Sequence, residues 1–235
     1  MTDAWLATPG RVSYGPANEG MHDLALSRAR GEIPDVLALL EHPPVYTAGR
    51  RTDPAHILLA EAEMERAGAE LHQVDRGGSV TFHGPGQLVG YPIVDLRPRP
   101  DVLAYLRRLE EAVIRACADL GVEVGRRDGD PTGVWAGGRK VCAIGVRVSR
   151  GVTLHGLALN CSTDLSWYGA IVPCGLEDRG VTSLSELAGR EITVSEALPL
   201  LARRFEEVFD RRLVPAPDEV TRTLAGGSPR RGPPD

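Results

Sequence analysis

The chain has 235 residues, 42% of them hydrophobic and 25% charged, with a formal net charge of -5. This composition belongs to a folded globular protein rather than a disordered or fibrous one, and its acidic balance leaves no obvious basic surface for phosphate-driven nucleic-acid binding. No apolar run approaches the roughly 18 residues of a membrane span, and Asp3 stands where a secretory leader needs basic charge, so the expectation is a cytoplasmic protein with neither membrane nor nucleic acid as partner.

Helical and strand patterns then alternate, which points to an α/β or α+β domain. Hydrophobic spacing predicts a helix over Asn18–Arg30, a short buried strand over Val36–Leu40 ended by Pro43 and Pro44, and a second helix over Ala60–Ala67. Next comes a shaped loop, Arg76-Gly77-Gly78-Ser79-Val80-Thr81-Phe82-His83-Gly84-Pro85-Gly86-Gln87. Its glycines can turn backbone N–H groups toward a ligand oxygen, and Arg76 can fork onto an acidic group. The Gly-Lys-Ser/Thr ending of a phosphate-binding loop is absent. The same residues also fit a tight strand connection in which His83 is merely packed and hydrogen-bonded.

The clearest helix runs over Asp101–Leu120, opened by Pro100 and Asp101 and closed by Gly121, with Cys117 on its apolar stripe. Two strand patterns, Lys140–Ser149 and Val152–Cys161, flank Arg150-Gly151 and read as a hairpin. Pairing Ser149 with Val152 sets Gly145 opposite Gly156 and Ala143 opposite Ala158 on one face, while Cys142, Ile144, Val146, Leu157 and Leu159 fill the other. A face of such small residues suits either the floor of an acyl groove or another element packed close to the backbone.

Of the 27 Lys and Arg residues, Lys140 is the only lysine. Arginine does not titrate in a protein and lysine does, so this position is either a site where a proton must move or one leftover of an arginine-biased composition. The cysteines are Cys117, Cys142, Cys161 and Cys174. Their spacing excludes a Cys-x-x-Cys zinc site, and a reducing compartment argues against disulfides. Cys142 falls on the apolar strand face and Cys161 at a strand end. Cys174, between Pro173 and Gly175, is the thiol placed to be reachable; Lys140 and His83 are the groups that could activate it, and an unreactive loop cysteine is the alternative. A last helix is predicted over Ser195–Asp210, followed by a Pro, Gly and Arg-rich tail over 214–235 too poor in apolar residues to offset its ordering entropy.

Taken together these motifs resemble the lipoyl(octanoyl) transferase family. Arg76-Gly77-Gly78 with Thr81, Phe82, His83, Gly86, Gln87 and Tyr91 matches its signature. Gly138-Arg139-Lys140-Val141 with Ala143-Ile144-Gly145, Leu154-His155-Gly156 with Ala158-Leu159-Asn160, and Pro173-Cys174-Gly175-Leu176 with Gly180–Leu184 follow in the family's order. The likeness runs from about Gly10 to Leu213, with no departure at a functional position.

The resemblance implies one catalytic domain over 1–213, with the mixed sheets and flanking helices of the biotin protein ligase and lipoate ligase catalytic fold. It implies octanoyl transfer from octanoyl acyl carrier protein to a lysine of lipoyl domains, those of 2-oxo-acid dehydrogenase complexes and of the glycine cleavage H protein. Cys174 is then the acyl-thioester nucleophile and Lys140 its partner, with no ATP, metal or organic cofactor, in a monomer. Arg76, Gly77, Gly78, Ser79, Val80, Thr81, Phe82, His83, Ala143, Ile144, Gly145, Gly156, Leu157 and Ala158 line the acyl site. Strict alternation would turn Lys140 away from that face, so a strand start or a bulge is expected beside it. The competing readings are an ATP-dependent lipoate ligase, a thioesterase pairing His83 with Cys174, and a non-catalytic acyl-binding or lipoyl-domain-binding module.

Overall fold

A computed structural model describes residues 1–127, 129, 132–172 and 180–227. In chain order its elements are β1 (Thr2–Arg11), α1 (Tyr14–Arg30), β2 (Asp35–Glu41), β3 (Val45–Ala48), α2 (Glu61–Arg66), β4 (Glu70–Gln73), β5 (Val80–His83), β6 (Gln87–Ile93) and α3 (Val102–Asp119). There follow β7 (Gly133–Ala136), β8 (Arg139–Ser149), β9 (Val152–Asn160), α4 (Leu184–Ala188), α5 (Val194–Phe209), β10 (Arg211–Pro215) and α6 (Asp218–Leu224). Short 3-10 turns cover Pro54–His56 and Leu165–Ala170.

Among the described residues the strands form a seven-stranded mixed sheet in the order β10-β1-β2-β6-β9-β8-β7 and a three-stranded sheet in the order β4-β3-β5. Strand β2 shows why the large sheet needs helices on both sides. Its Leu37 and Leu39 join the core with α3 and α5, while Val36, Ala38 and Leu40 join the core with α1 and α6. An uninterrupted apolar strand is therefore buried on both faces. A third core, built around Tyr46, Phe82 and Tyr168, seals the small sheet. No described helix is long and apolar enough to cross a membrane.

Local chemistry sets the boundaries. The Asp101 carboxylate accepts from Ala104 N at 2.9 Å and caps α3, and Gly121, at φ +74°, leaves its C-terminus. Arg150 and Gly151 both have positive φ, 53° and 82°, as a two-residue hairpin turn of matching twist requires. The hairpin register follows, with Ser149↔Val152, Gly145↔Gly156 and Ala143↔Ala158 paired.

Two expectations need correction. Helix α1 begins at Tyr14, not Asn18: Pro16 occupies the first helical turn, where its missing N–H costs nothing. The segment 214–235 is not a tail throughout. Val214 and Pro215 complete β10, which pairs with β1, and α6 buries Val220 and Leu224 against α1. That seat exists because Gly20 has no side chain: a Cβ there would stand 2.5 Å from the Thr223 carbonyl oxygen. Residues 228–235 lie outside the described residues.

Candidate active site

A cavity of about 750 Å³ opens between the two sheets, within the range of small-molecule sites. Arg76, Gly77, Gly78, Ser79, Val80, Thr81 and His83 line one side, and Lys140, Ala143, Ile144, Gly145, Gly156, Leu157 and Ala158 line the other. The exception among the expected residues is Phe82, which points the other way. It is fully buried, stacked on Trp167 at 5.3 Å and packed against Tyr46 and Tyr168, because alternation along β5 sends it into the small-sheet core. Cys174 lies outside the described residues. The residues on either side of its segment are placed: Val172 N donates to His56 O at 2.8 Å, and Gly180 O accepts from Lys140 N at 3.0 Å. Both anchors, His56 and Lys140, line the cavity.

Lys140 reaches the cavity through the expected bulge. Val134 pairs with Cys142 and Trp135 with Lys140, so Val141 is an extra residue that breaks the alternation and turns the lysine inward. Its side chain is 6% exposed, with Nζ 3.5 Å from Thr132 O and 4.6 Å from the centre of the Trp135 ring. The cation therefore sits against a carbonyl and an aromatic face at a nearly dry wall.

The Arg76 guanidinium does not wait for an acidic ligand. It donates to Gly77 O, Ser79 O, Thr47 O at 2.6 Å and Thr47 Oγ1 at 2.9 Å, which folds the glycine loop around it. Gly77 N donates to Val146 O, so that N–H is spent on holding the loop to β8.

The glycine pairs of the hairpin are close-packed where a hollow was one of two readings. A Cβ on Gly145 would stand 3.0 Å from Gly77 O, and one on Gly156 only 2.2 Å from Gly90 O. Both glycines still line the cavity, beside Ala143 and Ala158. Gly156→Ala is expected to destabilise the fold by about 2 kcal/mol or more, since a backbone carbonyl must move, whereas Ala143→Val should keep the fold and slow transfer of an eight-carbon chain. A normal urea midpoint for Gly156→Ala would contradict the packing.

His83 is held at both ring nitrogens. Gln87 Nε2 donates to Asn160 Oδ1, Tyr168 Oη and Phe82 O, so its Oε1 accepts from His83 Nδ1 at 2.8 Å, and Thr47 Oγ1 lies 3.3 Å from Nε2. Burial first, then the neighbouring His42, pushes the His83 pKa down to about 3. His42 is similar: its ring donates to Val12 O and accepts from the Tyr91 hydroxyl, both at 2.7 Å, and burial lowers its pKa to about 4. Both imidazoles are neutral in the folded protein, while the unfolded chain protonates them below about 6.5. The folded state thus binds fewer protons between pH 6.5 and pH 3–4, and stability falls as pH is lowered through that window. At pH 5 each contributes a loss of up to about 2 kcal/mol. Urea unfolding at pH 7 and pH 5 should show the drop, reduced in His42→Asn; equal midpoints in wild type at the two pH values would refute it.

Several lining residues carried no sequence expectation as site residues: Tyr14, His56, Tyr91 and His155. His155 has φ +58°, and its Nε2 is 2.7 Å from Asp75 Oδ1; Asp75 also pairs with Arg147. A histidine within an otherwise apolar strand was the available signal, and the Leu154-His155-Gly156 motif contains it.

The model of the lipoyl protein ligase A/B catalytic domain matches residues 17–206. Among curated relatives, an octanoyltransferase of Rubrobacter xylanophilus is 52% identical over 203 residues, covering 86% of this chain and 91% of its own. One of Nocardia farcinica is 50% identical over 199 residues, covering 82% and 76%. Among solved structures, a lipoate protein ligase of Thermoplasma acidophilum superposes with a TM-score of 0.76 at 18% identity, covering 96% of this chain and 91% of that one. A biotin protein ligase of Aquifex aeolicus gives 0.53 at 14% identity over 89% and 71%. At such identities these two structures bear on the fold alone.

Proposed function

The chain belongs to the family of the lipoyl protein ligase A/B catalytic domain and is an octanoyltransferase of protein lipoylation, and we propose that it works through a Cys174 thioester with Lys140 as proton carrier. The donor in this reading is octanoyl acyl carrier protein; the acceptors are lysines of lipoyl domains, those of 2-oxo-acid dehydrogenase complexes and of the glycine cleavage H protein.

The observation that carries the reading is an elimination among thiols. Cys117, Cys142 and Cys161 are fully buried in one core, and burial raises Cys117 and Cys161 to about 12 and Cys142 well above its ordinary value. None can present a thiolate at neutral pH. Cys174 is the remaining cysteine, and the described residues flanking it hydrogen-bond to His56 and Lys140 at the cavity wall.

In the first half-reaction the Cys174 thiolate attacks the thioester carbonyl. A C–S bond forms, the bond to the carrier sulfur breaks, and that sulfur takes the Lys140 ammonium proton and leaves as a thiol, so that Lys140 is neutral for the second step. In the second, the lysine amine of a lipoyl domain attacks the acyl-enzyme; a C–N bond forms, the C–S bond to Cys174 breaks, and the amine proton passes to Lys140. Thioester exchange is nearly isoenergetic and amide formation runs downhill, so neither ATP nor a metal enters either step. His83, with both nitrogens hydrogen-bonded and a pKa near 3, is poorly suited to the proton-accepting role that a thioesterase pair would give it. The reading is tested by following a lipoyl domain by mass with octanoyl acyl carrier protein or with free octanoate and ATP as donor. Transfer from the carrier alone supports it, and transfer only from octanoate with ATP would replace it by an adenylating ligase.

A further inference from the structure

We infer that Glu110, on α3 outside the cavity wall, is a positioning residue for Lys140, acting through the backbone of Thr132 and Gly133. The inference rests on the role proposed for Lys140.

Glu110 is 1% exposed, and both of its carboxylate oxygens are engaged. Oε2 accepts from Arg107 at 2.8 Å and from Arg126 at 3.0 Å, and Oε1 accepts from Gly133 N at 3.2 Å. Arg126 is itself held to α3 by the Arg107 carbonyl and Glu111. One buried carboxylate thus ties the chain at Arg126 and again at Gly133, the two sides of the approach to β7. A buried ion of this kind is costly unless paired, and here the pairing orders a backbone rather than a core.

What that backbone does is hold the lysine. Thr132 O, one residue before the tie, is the carbonyl 3.5 Å from Lys140 Nζ, and Trp135, two residues after it, supplies the ring beneath the cation. Gly133 itself makes room for the lysine stem. At φ +150° it carries no side chain, and a Cβ there would stand 2.6 Å from Cys142 O and 3.2 Å from Lys140 Cε. A shift of this backbone by a fraction of an ångström moves the acceptor, the aromatic face and the wall of the lysine channel together. Reaction rates are sensitive to such displacements, so a carboxylate that never touches substrate can govern the proton carrier.

Because Lys140 is the only lysine, its amine can be read without any assay of activity. In full-length protein, labelling by an amine-selective reagent, resolved by peptide mass from the N-terminal amine, should accelerate severalfold in Glu110→Gln, since the Thr132 carbonyl is no longer fixed beside the ammonium. Glu110→Asp keeps the charge for the two arginines but draws back from Gly133 N, and should lie between Gln and wild type. Unchanged labelling in both folded variants would overturn the inference, whatever Lys140 does in catalysis. A double-mutant cycle adds the catalytic readout. Glu110→Gln should slow single-turnover transfer to the lipoyl domain by about tenfold or more in the wild-type background and have no further effect on Lys140→Ala. Equal slowing in both backgrounds would show a general structural role and reject the positioning one. Full transfer activity in Lys140→Ala would instead reject the role of Lys140, and the labelling result would then decide on Glu110 alone.

Discussion

Mixing the protein with octanoyl acyl carrier protein is expected to add the mass of one octanoyl group to the intact chain, on the peptide that contains Cys174. Cys174→Ala and Cys174→Ser should lose the adduct and reduce turnover by about 10⁴-fold or more, the scale seen when a nucleophile is removed from a catalytic set. The size of the effect follows from the burial of the other three thiols. Cys117, Cys142 and Cys161 sit in the core shared with α3 and α5 and are held neutral by desolvation, so none can substitute. Both variants should fold as wild type. An adduct on any other cysteine, or sustained turnover by Cys174→Ala, would reject the thioester route and leave direct transfer within a ternary complex.

Replacing Lys140 is expected to separate the two half-reactions. Lys140→Arg keeps a cation against the Thr132 carbonyl and the Trp135 ring, so formation of the acyl-enzyme should continue at a reduced rate. A guanidinium cannot accept the proton of the attacking amine at accessible pH. Transfer to the lipoyl domain should therefore fall on the order of 10²-fold or more, the usual contribution of a general base, and the octanoylated enzyme should accumulate. Lys140→Ala should slow both steps, since neither thiolate nor proton transfer is then assisted. Single-turnover rates of each half-reaction decide the matter: equal acceptor transfer in Lys140→Arg and wild type would show that the lysine acts by charge alone.

How far the site was legible in the sequence differs from residue to residue. The hairpin could be read to single-residue accuracy because side chains alternate with period two and a two-residue turn leaves only one register, with Gly145 opposite Gly156. The bulge beside Lys140 could be expected from a conflict, a lysine required on the face that alternation denies it, and the structure resolves that conflict at Val141. Helix α6 could not be read. Its two buried apolar residues, Val220 and Leu224, are too few to signal a helix among prolines and arginines, and their burial depends on the bare backbone at Gly20 on α1. Arg76 was legible as part of the glycine loop at the cavity but not in what its guanidinium meets, because the Thr47 carbonyl comes to it from a neighbouring strand.

The sequence alone determined the features that depend on near neighbours: the capped helix α3, the hairpin register and the strand that carries the lone lysine. Those rest on backbone sterics, side-chain period and capping bonds, all of which act over a few residues. The tertiary structure decided what each face meets. Gly77 and Gly90 fill the space over Gly145 and Gly156, Phe82 turns into the small-sheet core, and Glu110 reaches Gly133 from a different element to set the surroundings of Lys140. Spacing along a chain encodes which side a residue takes but not the depth at which a distant element packs against it. That depth follows from the mutual burial of α3, β7 and β8, and it is what places a carbonyl and an aromatic ring beside the chain's only lysine.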